Sequence, residues 1–141
     1  MEILEVLTLW LHVSSVVVLI GGIIYARVEV AQVLRAMQPE EAARAADQMA
    51  ARFRPLALGA MAALLLSGTY KLLTNPGHSR YYLMLLGVKL LLVLHVFAAT
   101  FVLTAPAASP ERQAKRPRLM AGVAISGLAI IMLSAYLRRI F

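Results

Sequence analysis

The 141-residue chain is long enough for one domain, and 61% of its residues are hydrophobic, well above the roughly 45–50% of soluble domains. Its net charge of +7 flanks apolar runs instead of forming a continuous basic face with interleaved aromatics, which argues against nucleic acid as a partner. The sequence contains no cysteine, which excludes disulfides, thiolate metal sites and covalently attached c-type haem.

Four apolar runs, each of about 20 residues, are long enough to cross a hydrocarbon layer of about 30 Å. They cover about residues 6–26, 55–73, 81–103 and 119–137. Backbone groups in lipid must pair within their own segment, and the runs lack the alternation of barrel strands. The sequence therefore predicts an all-α fold, an integral membrane four-helix bundle in which residues 1–141 form one domain.

The basic residues predict the orientation of this bundle. Nine of them lie between runs one and two or between runs three and four: Arg27, Arg35, Arg44, Arg52, Arg54, Arg112, Lys115, Arg116 and Arg118. The other side receives Lys71, Arg80, Arg138 and Arg139. The positive-inside rule then places both basic connections in the cytoplasm and both termini outside the cell membrane.

The first connection is predicted to be mostly helical. Residues 23–37 contain no helix breaker, and Pro39 suits the first position of a new helix whose dipole Glu40 and Glu41 complement. Two long helices would thus form a cytoplasmic hairpin. The other connections are predicted to be an external turn at residues 74–77 and a cytoplasmic stretch at residues 106–117.

Small residues recur at helical spacing and predict close packing of helices. The stripes are Gly59, Ala63 and Ser67 in run two, Gly122 and Ser126 in run four, and Gly87, Leu91, His95 and Ala99 in run three. Because a four-helix protein also has much lipid-facing surface, these stripes allow a homodimer.

Two ionisable residues inside the runs are candidates for function. His12 shares a helical face with Thr8 and Ser15, and an intramembrane histidine is either a functional group or a neutral ring hydrogen-bonded across helices. Placing Lys89 at a helix centre costs about 2.5–3.5 kcal/mol, unless its ammonium reaches the interface along its flexible stem.

Depth suggests which of these residues meet. Counted from Val6 and Tyr81 at 1.5 Å per residue, His12 is about 9 Å deep and Lys89 about 12 Å. His95 would be about 21 Å deep. We therefore expect His12 and Lys89 to face one cavity in the outer half, and the difference argues against one upright haem held between His12 and His95.

The types of metal-binding side chain present do not decide between iron and copper. Neutral imidazole binds iron or copper, whereas a methionine thioether suits copper(I). Met84 and Met132 fall near the outer ends of their runs, where they would serve a copper site. His78 lies in the outer turn, where it is expected to be solvated.

The first and third runs resemble a known family. Trp10-Leu11-His12, Gly21-Gly22 and Tyr25-Ala26-Arg27 are similar to the opening helix of the HemJ-type protoporphyrinogen oxidases and the related CopD-type copper-resistance membrane proteins. Residues 86–95, which include Lys89 and His95, resemble the third helix of the same proteins. The likeness covers about residues 8–103.

This resemblance implies haem b as cofactor, a tetrapyrrole as ligand and a quinone as electron acceptor. It assigns His12 and Lys89 to catalysis, His12 to the metal, and Arg27 to a propionate or a headgroup. His95 is a further candidate as metal ligand or proton relay, although it lies closer to the lysine than the corresponding histidine of the HemJ type. The chain departs from the HemJ type in lacking a histidine soon after Arg27, where Gln32 stands instead. The alternatives are a CopD-like copper-handling transport protein and a non-enzymatic scaffold whose cytoplasmic hairpin contacts a partner.

Overall fold

A computed structural model of the chain describes residues 2–75, 77, 79–106 and 109–140, with residue 140 described by its backbone alone. These residues form four long helices. They are α1 (Glu2–Arg35), α2 (Pro39–Thr74), α3 (Arg80–Thr104) and α4 (Pro110–Ile140). Pro76 and His78, in the predicted outer turn, lie outside the described residues.

The connection between α1 and α2 is only three residues long, as the absence of helix breakers predicts. Gln38 is extended at the N-cap, Pro39 occupies the first turn, and Glu40 and Glu41 follow. α1 contains one π-helical stretch, Ala26–Val30. At 1.5 Å per residue, α1 and α2 are about 50 Å long, roughly 20 Å more than a bilayer core needs. The hairpin is thus confirmed as a pair of long helices, and its cytoplasmic position stays a prediction.

The third connection is shorter than predicted, because α4 begins at Pro110 and not near residue 119. The Ser109 hydroxyl accepts a hydrogen bond from the Arg112 backbone N–H at 3.4 Å. Pro110 then takes the first helical position, which needs no N–H donor, and Glu111 complements the dipole. Pro117, expected to lie in the connection, is inside the helix. Most of the predicted 106–117 connection is therefore helical.

The helices pack as a ring in which each contacts two neighbours. α1 lies between α2 and α4, and α3 lies on the opposite side between the same two helices. Residues 2, 74, 80 and 140 mark one end of the bundle, here named the termini end. Residues 35, 39, 104 and 110 mark the other, here named the hairpin end. Neighbouring helices in sequence are thus antiparallel neighbours in space.

A well-packed apolar core fills the middle of the bundle toward the hairpin end. Leu19 and Val96 are 1% and 2% exposed, and Val123 is fully buried. The remaining core side chains are Ile20, Ile23, Ala57, Ala60, Met61, Ala99 and Leu103. The termini half also buries polar side chains, with Ser15 and Ser67 at 6% and 2% exposure, together with the apolar Leu137 at 6%.

Most apolar side chains face outward. Only 11–22% of the residues in the most hydrophobic window of each helix are buried, although all four helices are long and apolar enough to cross a membrane. Leu66, Leu91 and Ile125, for example, are about 70% exposed. A protein in water would bury such residues, so this surface is suited to contact with lipid.

The small-residue stripes pack only in part. A Cβ atom at Gly122 would lie 3.4 Å from the His95 ring, and one at Gly22 would clash with the Phe53 ring at 2.8 Å. At Gly59 and Gly87 a Cβ would meet nothing within 4 Å. Packing within the chain was therefore the wrong expectation for Gly59 and Gly87, and the homodimer stays a prediction.

Gly127 provides a test of this packing, since a Cβ there would lie 2.5 Å from Ile20 Cδ1 and 3.0 Å from both of its γ carbons. Ile20 is only 6% exposed and has little room to move. We expect Gly127→Ala to lower the free energy of unfolding in detergent by about 1–3 kcal/mol through overpacking. The matched control Gly59→Ala, which meets no neighbour, should cost nothing. Equal stability of the two variants would contradict this packing.

Candidate functional site

His12 forms the one direct polar side-chain contact between α1 and α2 among the described residues. Its Nδ1 lies 2.7 Å from the Ser67 hydroxyl, and Cε1 lies 4.0 Å from where a Cβ at Gly68 would be. His12 is half-buried, whereas Ser67 is 2% exposed. The ring is therefore held against the second helix and remains open along part of its surface.

The Ser67 hydroxyl determines the tautomer of this ring. Ser67 Oγ lies 2.6 Å from the Ala63 carbonyl, which can only accept a hydrogen bond, so the single hydroxyl proton points there. The oxygen then has only lone pairs to offer to His12. Nδ1 must accordingly carry the proton and donate, which leaves Nε2 as the nitrogen with a lone pair.

Two lysines lie beside this imidazole. Lys71 and Lys89 are both half-buried and close enough to interact electrostatically with His12. Lys71 is one helical turn beyond Ser67 on the same face of α2, and Lys89 comes from α3. Lys71 also interacts with Arg138 near the end of α4. We name His12, Ser67, Lys71 and Lys89 the imidazole–lysine cluster.

The cluster carries positive charge that the described carboxylates do not neutralise through ion pairs. Among the described residues no carboxylate forms an ion pair with Lys71, Lys89 or Arg138, and the ion pair present joins Arg116 to Asp47 near the hairpin end. Glu2 and Glu5 lie in the first turn of α1, at the same end of the bundle. Two ammonium groups within electrostatic reach of an imidazole form a site suited to a ligand with both a metal and carboxylates.

Several tyrosines lie near the same end of the bundle as this site. Tyr70, Tyr81, Tyr82 and Tyr136 all lie within a few residues of the termini end. Tyr81 at the start of α3 and Tyr136 near the end of α4 are close enough to interact. Because tyrosine is enriched where hydrocarbon meets water, these tyrosines suit a membrane interface at the termini end.

His95 does not join the cluster. Its Nε2 faces Gly122 of α4, while Ile20 of α1 faces Gly127. Gly122 is five residues, about 7.5 Å, nearer the hairpin end than Gly127. Ile20 is in turn eight residues, about 12 Å, nearer that end than His12. The two imidazoles therefore lie roughly 10–20 Å apart along the bundle, too far to share one metal ion with bonds of about 2 Å.

Arg27 is also remote from the cluster. It lies in the π-helical stretch of α1, is exposed, and donates a hydrogen bond of 2.7 Å to the Pro117 carbonyl of α4. This contact joins α1 to α4 toward the hairpin end. The role of Arg27 toward a propionate stays a prediction, and a ligand at His12 would not reach it.

The sequence pattern identified two members of the cluster and missed two. His12 and Lys89 were predicted from depth, and the structure brings them near each other. Ser67 entered only as a small packing residue, and Lys71 only as a flanking charge. Their spacing of four residues, opposite an intramembrane histidine, is the signal that would have found both.

No protein-family model, curated protein or solved structure matches this chain. The resemblance to the HemJ and CopD types therefore stays a prediction, and the function has to be argued from the cluster itself.

The orientation of His12 can be tested by removing its acceptor. Ser67→Ala leaves the Nδ1–H without a partner, so we expect a loss of about 1–3 kcal/mol in the free energy of unfolding and loss of the single tautomer. ¹⁵N NMR of histidine-labelled protein distinguishes the two tautomers. Ser134→Ala is the control, because the Ser134 hydroxyl bonds only to Ile130 of its own helix. A His12 protonated at Nε2 in the unmodified protein would contradict the assignment.

Proposed function

We propose that the chain is a membrane protein that binds haem b, in which Nε2 of His12 would bind the iron. The observation that supports the proposal is the hydrogen bond from His12 Nδ1–H to Ser67, which orients the ring and leaves Nε2 available. Imidazoles that ligate metals commonly donate their other N–H in this way. Proximal histidine is a usual haem ligand.

The two lysines of the cluster suit the propionates of haem. Haem b carries two propionates, and Lys71 and Lys89 supply two ammonium groups beside His12 with no carboxylate paired to them among the described residues. Charge-assisted hydrogen bonds between ammonium and carboxylate groups are among the strongest in proteins. The protein would thereby replace the solvation that the propionates lose on entering the membrane.

A single oriented imidazole favours haem over a bare metal ion. The porphyrin brings four nitrogen ligands of its own, whereas a bare copper ion needs several ligands from the protein. Within the described part of the chain, histidine and carboxylate side chains do not gather in threes. Met84 and Met132 are each 72% exposed on the outer surface of the bundle. The copper alternative thus receives no support from these residues.

A bound haem would supply one-electron chemistry. The chain's own contribution would be to hold the tetrapyrrole by His12, orient its carboxylates by Lys71 and Lys89, and carry protons on Lys89. The reaction implied by the family resemblance is the oxidation of protoporphyrinogen IX. That substrate loses six electrons and six protons, and three quinones take them up as quinols.

The absorption spectrum tests the ligand assignment. Protein expressed with haem supply and purified in detergent should show a Soret band, which His12→Ala should abolish because the iron loses its protein ligand. His95→Ala should keep the band, since His95 faces Gly122 of α4, roughly 10–20 Å from His12 along the bundle. A full Soret band in His12→Ala would disprove the proposal. Stoichiometric copper without tetrapyrrole would favour the copper-handling alternative, and absence of both would favour the scaffold.

The lysines can be tested through the carboxylates that they are proposed to bind. Lys71→Gln and Lys89→Gln should each weaken haem b about tenfold to a hundredfold, the worth of one hydrogen bond to a charged group. Titration with haem dimethyl ester, which has no free carboxylates, should show no difference between the variants and the unmodified protein. Arg139→Gln is the control, because Arg139 is exposed at the same end of the bundle. Equal weakening with the ester would mean that the lysines act otherwise.

A further inference from the structure

A partly enclosed cleft of about 230 Å³ lies at the hairpin end, where the chain passes from α3 to α4. One wall is apolar and the other is basic. The apolar side chains are those of Val102, Leu103, Pro106 and Leu119, and the basic ones are those of Arg112, Lys115 and Arg116. We name these residues the basic cleft. They share no member with the imidazole–lysine cluster at the opposite end.

Arg116 holds the helices around the cleft in place. Its guanidinium lies 2.6 Å from an Asp47 carboxylate oxygen and 3.5 Å from the Ala105 carbonyl, and its side chain is only 11% exposed. It thus holds α4 against α2 and against the end of α3. The adjacent Arg112 and Lys115 side chains are exposed and form no ion pair with a described residue. They are available to a ligand.

The surroundings of the cleft are positively charged. Asp47 is engaged by Arg116, and Glu111 lies in a neighbouring depression beside Lys115 and Arg118. Arg54, on α2, is placed over the Phe101 ring at 4.8 Å from its centroid. The cations around the cleft therefore outnumber the carboxylates that approach it. A ligand seated there has to be anionic.

The position of the cleft along the bundle indicates what kind of anion. α3 ends at Thr104, so the cleft lies where the hydrophobic span gives way to the connection. Its apolar wall is continuous with the lipid-facing surface through Val102, which is 48% exposed. The volume falls below the roughly 300–1,000 Å³ of sites for drug-sized ligands, so it suits a headgroup whose chains remain outside.

We infer that the basic cleft binds one anionic phospholipid. Arg112 and Lys115 contact the phosphate, and an acyl chain lies against Val102 and Leu119. Basic pockets between membrane helices on the cytoplasmic side are a recognised way to bind anionic headgroups, and the charge distribution predicts that this end is cytoplasmic. The assignment does not depend on haem.

Native mass spectrometry of the full chain, released from detergent containing defined lipids, tests this inference. The unmodified protein should retain one phosphatidylglycerol in preference to phosphatidylcholine. Arg112→Gln with Lys115→Gln should weaken phosphatidylglycerol about 30-fold, from about 1 kcal/mol for each cation lost near a headgroup. The matched control is Arg44→Gln with Arg52→Gln, which removes two exposed cations near the same end and should change retention less than threefold.

Three outcomes would overturn the inference. They are equal loss in the control pair, equal retention of phosphatidylcholine, and stabilisation by inorganic phosphate as large as by the lipid. The last would mean that the cations bind a free anion and that the apolar wall contributes nothing. Thermal unfolding of the cleft variant separates loss of binding from loss of fold, because Arg116 and its contact with Asp47 are left in place.

Discussion

A polar side chain inside hydrocarbon has no solvent to bond with, and this constraint sets the partners of most buried hydroxyls described in the bundle, with Thr100 as an exception. Ser15, Ser134 and Thr104 meet it locally, by donating to the carbonyl four residues earlier in their own helices. His12 cannot do so and bonds across to Ser67, which already donates to its own helix. The interhelical contact thus depends on an intrahelical one, and together they fix the imidazole's orientation.

The two halves of the bundle differ in packing and in charge. Toward the hairpin end, Leu19, Val96 and Val123 pack to near-complete burial, and Arg116 with Asp47 closes the helices together. Toward the termini end, the buried residues include Ser15 and Ser67 as well as Leu137, and the lysines stay unpaired with acids among the described residues. Packing in one half therefore supplies the stability that allows uncompensated charge in the other. Such charge at membrane depth is expensive and is a usual mark of a functional site.

The number of helices and their approximate extent could be predicted from the sequence because the bilayer sets a minimum apolar length, and because Pro39 with Glu40 and Glu41 marks a helix start. The start of α4 was predicted too late, since Pro110 and Pro117 were interpreted as belonging to a connection. Both lie in a helix, one at its first position and one inside it. Which side of each helix faces the core was harder still to predict. Core and lipid are equally apolar, so nothing in the pattern shows that Gly127 is packed and Gly59 is not.

In the candidate site, only the residues whose types are unusual in a membrane span could be predicted from the sequence. His12 and Lys89 are conspicuous because ionisable groups are rare in such runs. Ser67 is not, since a serine among alanines and glycines is typical of ordinary helix packing. Its significance arises from lying opposite His12, which is a matter of how α1 and α2 are rotated against each other. That rotation is a property of the packed pair and not of either sequence segment.

The π-helical stretch Ala26–Val30 has a consequence for how the first helix is compared with anything else. A π turn holds one residue more than the α turn it replaces, which is about 100° of rotation about the helix axis. Residues before and after it consequently follow two separate helical phases. A helical wheel drawn through the whole of α1 from His12 would assign the side chains of residues 31–35 to the wrong side of the hairpin.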